Sequence, residues 1–104
     1  MSKRLAYLEK ITSEGKADSF AWYALGLEYA GLDRVDDALA AFTSLRAKDA
    51  KYVPMYLMCG TMLEKLSRKD EAREWLEAGV KVATAKNDSH ALGEIQGALA
   101  ALDD

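Results

Sequence analysis

The chain has 104 residues, of which 50% are hydrophobic and 30% are charged, a composition typical of a soluble globular protein of one domain. Its formal net charge of −3 argues against nucleic-acid and anionic-membrane partners, which select basic surfaces. The single cysteine, Cys59, excludes an internal disulfide and indicates a reducing compartment, and no apolar stretch approaches the roughly 18 residues of a membrane span. Glu9 and Lys10 interrupt the apolar residues near the start, so no signal peptide is expected.

Three helices are predicted in the first half of the chain. The first has a single apolar face and is expected to end near Gly15. The second begins at an N-cap, Asp18 or Ser19, and extends to about Gly31. Asp33 is predicted to cap the third helix, which has acidic residues in its first turn. The apolar face of the first helix consists of Leu5, Leu8 and Ile11.

Three further helices are predicted in the second half. Pro54 suits the first turn of the fourth helix, because its missing N–H has no partner within the helix there. Ser67 with Asp70 three residues later is similar to a capping box and predicts the start of the fifth helix. Asp88 or Ser89 opens the sixth. The connections are short, so neighbouring helices are expected to be antiparallel. The apolar stripe of the sixth helix consists of Leu92, Ile95, Leu99 and Leu102.

Part of the sequence recurs after 34 residues. The clearest matches are Gly26, Leu32, Arg34, Asp36 and Ala38, which recur as Gly60, Leu66, Arg68, Asp70 and Ala72. A repeat of this length is a helix pair that buries its apolar face only by stacking on copies of itself. The second helix has two apolar faces, so the second and fourth helices are expected to form an inner layer. Glycine is unfavourable within a helix, so Gly26 and Gly60 each predict a neighbouring aromatic side chain in the space of a β-carbon.

These recurring residues resemble the tetratricopeptide repeat. In the first copy the matching residues are Trp22, Leu25, Gly26, Tyr29, Ala38 and Phe42, and in the second they are Tyr56, Gly60 and Ala72. The closing proline of the family's pattern is absent, since Ala50 and Thr84 stand there. The resemblance implies an all-α fold, a right-handed α-α superhelix of about six antiparallel helices. Within a single domain, 1–104, it implies an outer-type helix at 2–15, repeats at 19–52 and 53–86, and a capping helix at 88–102.

The resemblance also implies a function. It predicts a non-enzymatic, cytoplasmic module that binds a peptide or amphipathic helix of another protein in a concave groove, with no nucleic-acid or membrane partner. Two alternatives stay open: the chain's own helices fill this groove, or the same apolar face forms a weak homodimer. Glu64 and Lys65 would stand at the polar edge of the groove. The residues expected to line it are Phe20, Tyr23, Leu27, Ala30, Pro54, Leu57, Thr61 and Glu64.

Other chemistry has little support in the sequence. One subtype of the resembled family holds the C-terminal carboxylate of chaperones with basic and amide side chains, but Tyr23, Leu27 and Met58 occupy matching positions here. We therefore expect no binding of acidic chaperone tails. Cys59 is expected to be a buried thiol and His90 an exposed residue, and no third residue orients them as a catalytic dyad. One histidine and one cysteine form no zinc set, and no cofactor is predicted.

Overall fold

The computed structural model describes residues 2–103, which form six α-helices and contain no β-strand. The helices are α1 (Lys3–Ser13), α2 (Ser19–Gly31), α3 (Val35–Lys48), α4 (Val53–Lys65), α5 (Lys69–Ala85) and α6 (Ser89–Leu102). The predicted all-α fold is confirmed. Among these helices, none is both long enough and apolar enough to cross a membrane. Backbone contacts divide the chain into two compact units, one with α1 to α3 that ends at Asp49 and one with α4 to α6 that begins at Ala50.

Side chains fix the starts of several helices. The carboxylate of Asp18 accepts a hydrogen bond from the backbone N–H of Ala21 at 2.9 Å, and α2 follows. Asp88 caps α6 in the same way, accepting from Ala91 N at 3.1 Å. Pro54 lies in the first turn of α4. Each of these residues satisfies or removes an unpaired N–H of the first helical turn. The predicted starts of these three helices are confirmed.

Two predicted N-caps are wrong. Asp33 and Ser67 have φ angles of 59° and 60°, and the N-cap positions of α3 and α5 are Arg34 and Arg68, without a capping side-chain hydrogen bond. The backbone N–H of Arg34 donates to the carbonyl of Tyr29 at 2.9 Å, which closes the end of α2. A residue in the left-handed region at this point belongs to the C-terminus of the preceding helix, so its side chain does not cap the next one.

The same closure recurs at other helix ends. Gly15 has a φ of 72°, and the N–H of the following residue, Lys16, donates to the carbonyl of Ile11 at 2.9 Å. Asn87 has a φ of 57°, and the next N–H donates to the carbonyl of Ala83 at 2.9 Å. These are Schellman motifs, in which one left-handed residue lets the chain satisfy the last carbonyls of a helix. The predicted end of the first helix near Gly15 is confirmed.

In the first unit, α2 packs against both α1 and α3. The Phe42 side chain on α3 is 1% exposed, and an ideal β-carbon on Gly26 would lie 2.5 Å from its ring. The expectation of an aromatic neighbour is therefore confirmed for Gly26. The Tyr29 hydroxyl donates a hydrogen bond to Glu9 at 2.5 Å and links α2 to α1. The apolar cluster between these helices consists of Leu5, Leu8, Ala21, Ala24, Leu25 and Ala41.

In the second unit, α6 packs against both α4 and α5. An ideal β-carbon on Gly60 would lie 2.5 Å from Leu76, so the expectation of an aromatic neighbour is wrong here, because an aliphatic residue stands where the first copy has phenylalanine. An ideal β-carbon on Gly79 of α5 would lie 2.7 Å from the Tyr56 side chain, almost as close. The same glycine position faces Ile95 of α6 at 3.2 Å. Small residues thus set how closely the helices of this unit approach. The predicted inner layer stays a prediction.

Candidate interaction surface

Four of the predicted groove residues share one face of α2, which we call the α2 face: Phe20, Tyr23, Leu27 and Ala30. Intervals of three and four residues bring side chains to the same side of a regular helix. Phe20 is 63% exposed, whereas the other three are partly buried. An aromatic side chain this exposed on an apolar helix face offers contact area to a partner. The helix itself contains no lysine or arginine.

Tyr23 also contributes to the hairpin. Its ring lies 6.4 Å from the ring of Phe42, centroid to centroid, at an interplanar angle of 51°. Such tilted pairs are a favourable arrangement of two aromatic rings. One side of Tyr23 therefore stabilises the α2–α3 hairpin, and a substitution at this position affects the fold as well as the surface.

The other four predicted residues lie on one face of α4, the α4 face: Pro54, Leu57, Thr61 and Glu64. Pro54 is exposed and the other three are partly buried. The Thr61 hydroxyl donates to the carbonyl of Met58 at 3.1 Å, so its polar group is satisfied within the helix. Met58, which was not among the predicted residues, is 38% exposed. The structure thus places each set of four on its own helix face, and their combination in a single groove stays a prediction.

A second surface was not predicted from the sequence. An open groove of about 420 Å³ runs between α1 and α2. Tyr7 is 62% exposed and, with Phe20, gives the groove two large exposed aromatic rings. We call it the α1–α2 groove. Its lining residues are Arg4, Tyr7, Leu8, Ile11, Lys16, Asp18, Phe20, Ala21 and Ala24.

Two basic side chains that line the α1–α2 groove, Arg4 and Lys16, lie close to carboxylates. Arg4 Nε is 3.2 Å from Glu28 Oε1, and Lys16 Nζ is 3.7 Å from Glu14 Oε1. Both basic side chains are largely exposed, with exposed fractions of 62% and 72%.

Away from the groove, burial and then the hydrogen bond to Glu9 raise the pKa of Tyr29 to about 12. The neutral phenol therefore persists at physiological pH and donates to the carboxylate.

The comparisons with solved structures identify the fold family. A tetratricopeptide repeat domain protein from Salinibacter ruber, solved as a crystal structure, is 33% identical to this chain, with a TM-score of 0.76. The match covers 84% of this chain and 97% of that chain. The solution structure of a tetratricopeptide repeat domain protein from the same organism gives 34% identity and a TM-score of 0.77, over 83% of this chain and 87% of that chain. The chain belongs to the tetratricopeptide repeat family.

Three further comparisons complete this result. A tetratricopeptide-like fold is shared by a protein from Bordetella parapertussis, which is 24% identical over 99% of this chain and 90% of its own, with a TM-score of 0.83. No family model matches the sequence, and no curated protein matches it significantly. The chain is therefore a helical-repeat protein of a kind that generally mediates protein–protein interaction.

Catalytic and metal chemistry gain no support from this tetratricopeptide structure. Within residues 2–103, no three histidine, cysteine, aspartate or glutamate side chains are grouped to hold a metal ion. Cys59 is 0% exposed, as expected for a buried thiol. The side chain of His90 is 89% exposed and its Nε2 lies 3.2 Å from Glu94 on the same helix. A fully buried thiol and a solvent-facing imidazole do not form a nucleophile–base pair, which requires direct contact.

Proposed function

We propose that this protein is a non-enzymatic interaction module that binds a peptide or amphipathic helix of another protein on the α2 face. The 63% exposure of Phe20 carries the proposal. Exposed apolar area of this kind gains free energy when a partner covers it, roughly 25 cal/mol per Å². Aromatic side chains also lose little conformational entropy when they are fixed, which makes them effective anchors.

The α4 face supports a second contact region of the same kind. Leu57 is partly buried and Met58 is 38% exposed, so this face offers one leucine and one adaptable thioether. Glu64 and Lys65 give the C-terminal end of α4 one charge of each sign. We expect apolar partner side chains to supply most of the affinity, and these two charged residues to contribute orientation rather than strength.

Protein is the favoured partner class. The net charge is −3, and the absence of lysine and arginine from α2 leaves this face without the cations that contact phosphate groups. We further propose a cytoplasmic location, which the single, buried cysteine supports. Fractionation of cells that express the natural protein tests this location directly.

Leu27→Glu tests the α2 face more cleanly than a change at Tyr23, because Tyr23 also packs against Phe42. Leu32→Glu is the matched control, since Leu32 is 50% exposed and lies beyond the end of α2. Proteins that co-purify with the wild-type chain are identified, and the affinity of each is measured for all three chains. We expect at least a tenfold loss with Leu27→Glu and little change with Leu32→Glu. Equal affinities for all three folded chains would remove the α2 face from the proposal.

A further inference from the structure

The α1–α2 groove leaves open part of a helix face that the repeat elsewhere buries: Tyr7 is 62% exposed and Ile11 is partly buried, whereas Leu8 is 6% exposed. Four of its lining residues belong to α1, and each has a counterpart 34 residues later in α3. Those counterparts are the four buried residues of α3, and one of them, Phe42, packs on Gly26 of α2. The pairs are Arg4 with Ala38, Tyr7 with Ala41, Leu8 with Phe42, and Ile11 with Leu45. Arg4 and Tyr7 are thus exposed at positions whose counterparts in α3 are buried, so another helix can cover this part of α1.

The face of α6 that carries Gly93 and Gly97 is also open. An ideal β-carbon on either glycine has no neighbouring atom within 4 Å, whereas the corresponding space at Gly26 and Gly60 is filled by a large side chain of the next helix. Ala100 is exposed and follows at the spacing that keeps it on the same face. This face is flat enough for bulky side chains of another helix to approach its backbone closely.

The α1–α2 groove and the Gly93–Gly97 face of α6 are complementary in side-chain size and in charge. Tyr7 stands where α3 has Ala41, so a helix in the groove must present small residues opposite α1, as the glycine face of α6 does. Residues 1–16 contain four basic and two acidic side chains. Residues 87–104 contain four acidic side chains and no lysine or arginine. Opposite charges favour the encounter of these two regions and disfavour pairing of either region with itself.

We propose that α6 of a second copy of this chain docks in the α1–α2 groove, with its Gly93–Gly97 face against Tyr7 and Ile11. The contact is heterologous, because two different surfaces meet, and contacts of this kind build closed rings or open chains of copies. A single helix in a groove buries an area at the low end of specific interfaces, below about 1,200 Å². We therefore expect association at protein concentrations between about 10 μM and 1 mM.

Sedimentation equilibrium over this concentration range tests the proposal on the full chain. The wild-type weight-average mass should rise with concentration and fall at high salt, which screens the charges. Tyr7→Glu adds a negative charge to the groove that receives the acidic α6, and Gly97→Leu fills the open face. Each should remain a monomer. Leu66→Glu is the control, because Leu66 is a 44% exposed apolar residue outside both faces, and it should associate like the wild type.

Both variants should fold. Tyr7 is 62% exposed, and a side chain at position 97 enters open space and removes a helix-weakening glycine, so circular dichroism should show unchanged helicity. Mixing the two variants should give dimers and nothing larger, since Gly97→Leu keeps an intact groove and Tyr7→Glu keeps an intact α6.

Three results would overturn the proposal: a wild-type chain that is monomeric up to about 1 mM, a variant that associates like the wild type, or mixed variants that stay monomeric. A homodimer through the α2 face would persist in both variants and be lost in Leu27→Glu. Such a homodimer would overturn the docking of α6 in the α1–α2 groove. The partner-binding proposal for the α2 face would still be decided by the affinity measurements with Leu27→Glu.

Discussion

Phe42 occupies the space that a β-carbon on Gly26 would need, with its Cε1 atom 2.5 Å from the ideal position. Leu76 has the same relation to Gly60, again at 2.5 Å. The 34-residue repeat therefore reproduces a contact as well as a pattern of residue types. The glycines are required at these places because the facing side chains leave no room for another carbon atom.

Gly26→Ala is expected to destabilise the protein by about 1–3 kcal/mol, because the buried Phe42 ring must shift to admit the methyl group. Alanine is the better helix former by roughly 1 kcal/mol, which offsets only part of this cost. Gly93→Ala is the control: its β-carbon meets no atom within 4 Å, so it should be stabilising. Urea unfolding measures both. Equal stability of the two variants would show that the approach at Gly26 is not close.

Ser67→Gly is expected to stabilise the protein. Ser67 has a φ of 60°, a conformation that costs a non-glycine residue roughly 1–2 kcal/mol, whereas the greater chain entropy of unfolded glycine takes back about 0.5–1 kcal/mol. The net gain should be about 0.5–1 kcal/mol in thermal or urea unfolding. Ser67→Ala should give no gain. Asn87→Gly should gain less than Ser67→Gly, since asparagine tolerates the left-handed region better.

The hydroxyl of Tyr29 predicts a loss of stability at alkaline pH. Burial and the Glu9 hydrogen bond raise its folded-state pKa to about 12, against about 10 when unfolded. Its contribution is complete below pH 10 and is lost as the pH rises through 12, because the unfolded chain releases this proton first. Urea unfolding from pH 9 to 12 should show a shallower decline for Tyr29→Phe than for the wild type.

Two further observations make the Tyr29 experiment specific. At neutral pH, Tyr29→Phe should also lose about 0.5–1.5 kcal/mol, because the hydrogen bond to Glu9 disappears. Tyr7→Phe removes a phenol that is 62% exposed and controls for the loss of a tyrosine as such. Identical pH profiles for Tyr29→Phe and the wild type would show that the loss of stability at alkaline pH does not come from the Tyr29 hydroxyl.

Ile95→Ala tests whether α6 is an integral part of the second unit. Ile95 is 0% exposed and its Cδ1 atom lies close to Gly79 of α5, so its truncation should leave a cavity and cost about 2–5 kcal/mol. Leu66→Ala, at a position 44% exposed, should change stability by less than about 0.5 kcal/mol. A loss below 1 kcal/mol for Ile95→Ala would mean that α6 contributes little to the core.

The helices and their close contacts could be predicted because they depend on local sequence. Apolar spacing, together with N-cap candidates and Pro54, located all six helices, and the position of glycine within a helical pattern identified Gly26 as a point of close approach. The side chain opposite Gly60 could be anticipated only in part, because the repeat fixes the position of the neighbour and not its type. The caps Asp33 and Ser67 failed for a backbone reason: short polar residues favour the left-handed region as well as N-caps.

The surfaces were harder to predict than the core. Trp22 and Tyr56 are 34 residues apart, yet Trp22 is partly buried and Tyr56 is 2% exposed, because Trp75 packs beside Tyr56 with ring centroids 5.9 Å apart. Trp75 has alanine as its counterpart in the first copy, so the repeat pattern gave no sign of this pair. The exposure of Tyr7 could not be predicted either, because it depends on which helix faces pack against another helix in the folded chain.

Three of the connections between helices consist of only three residues, and in each the middle residue has a positive φ: Asp33, Ser67 and Asn87. A connection this short cannot accommodate an extra residue without moving the helix that follows it. One inserted residue would rotate the next helix by about 100° about its axis if the helix absorbed it, and would turn its apolar face away from the core. We expect these turns to tolerate exchanges of side chains but no change in length, so tags, labels and engineered insertions belong elsewhere in the chain.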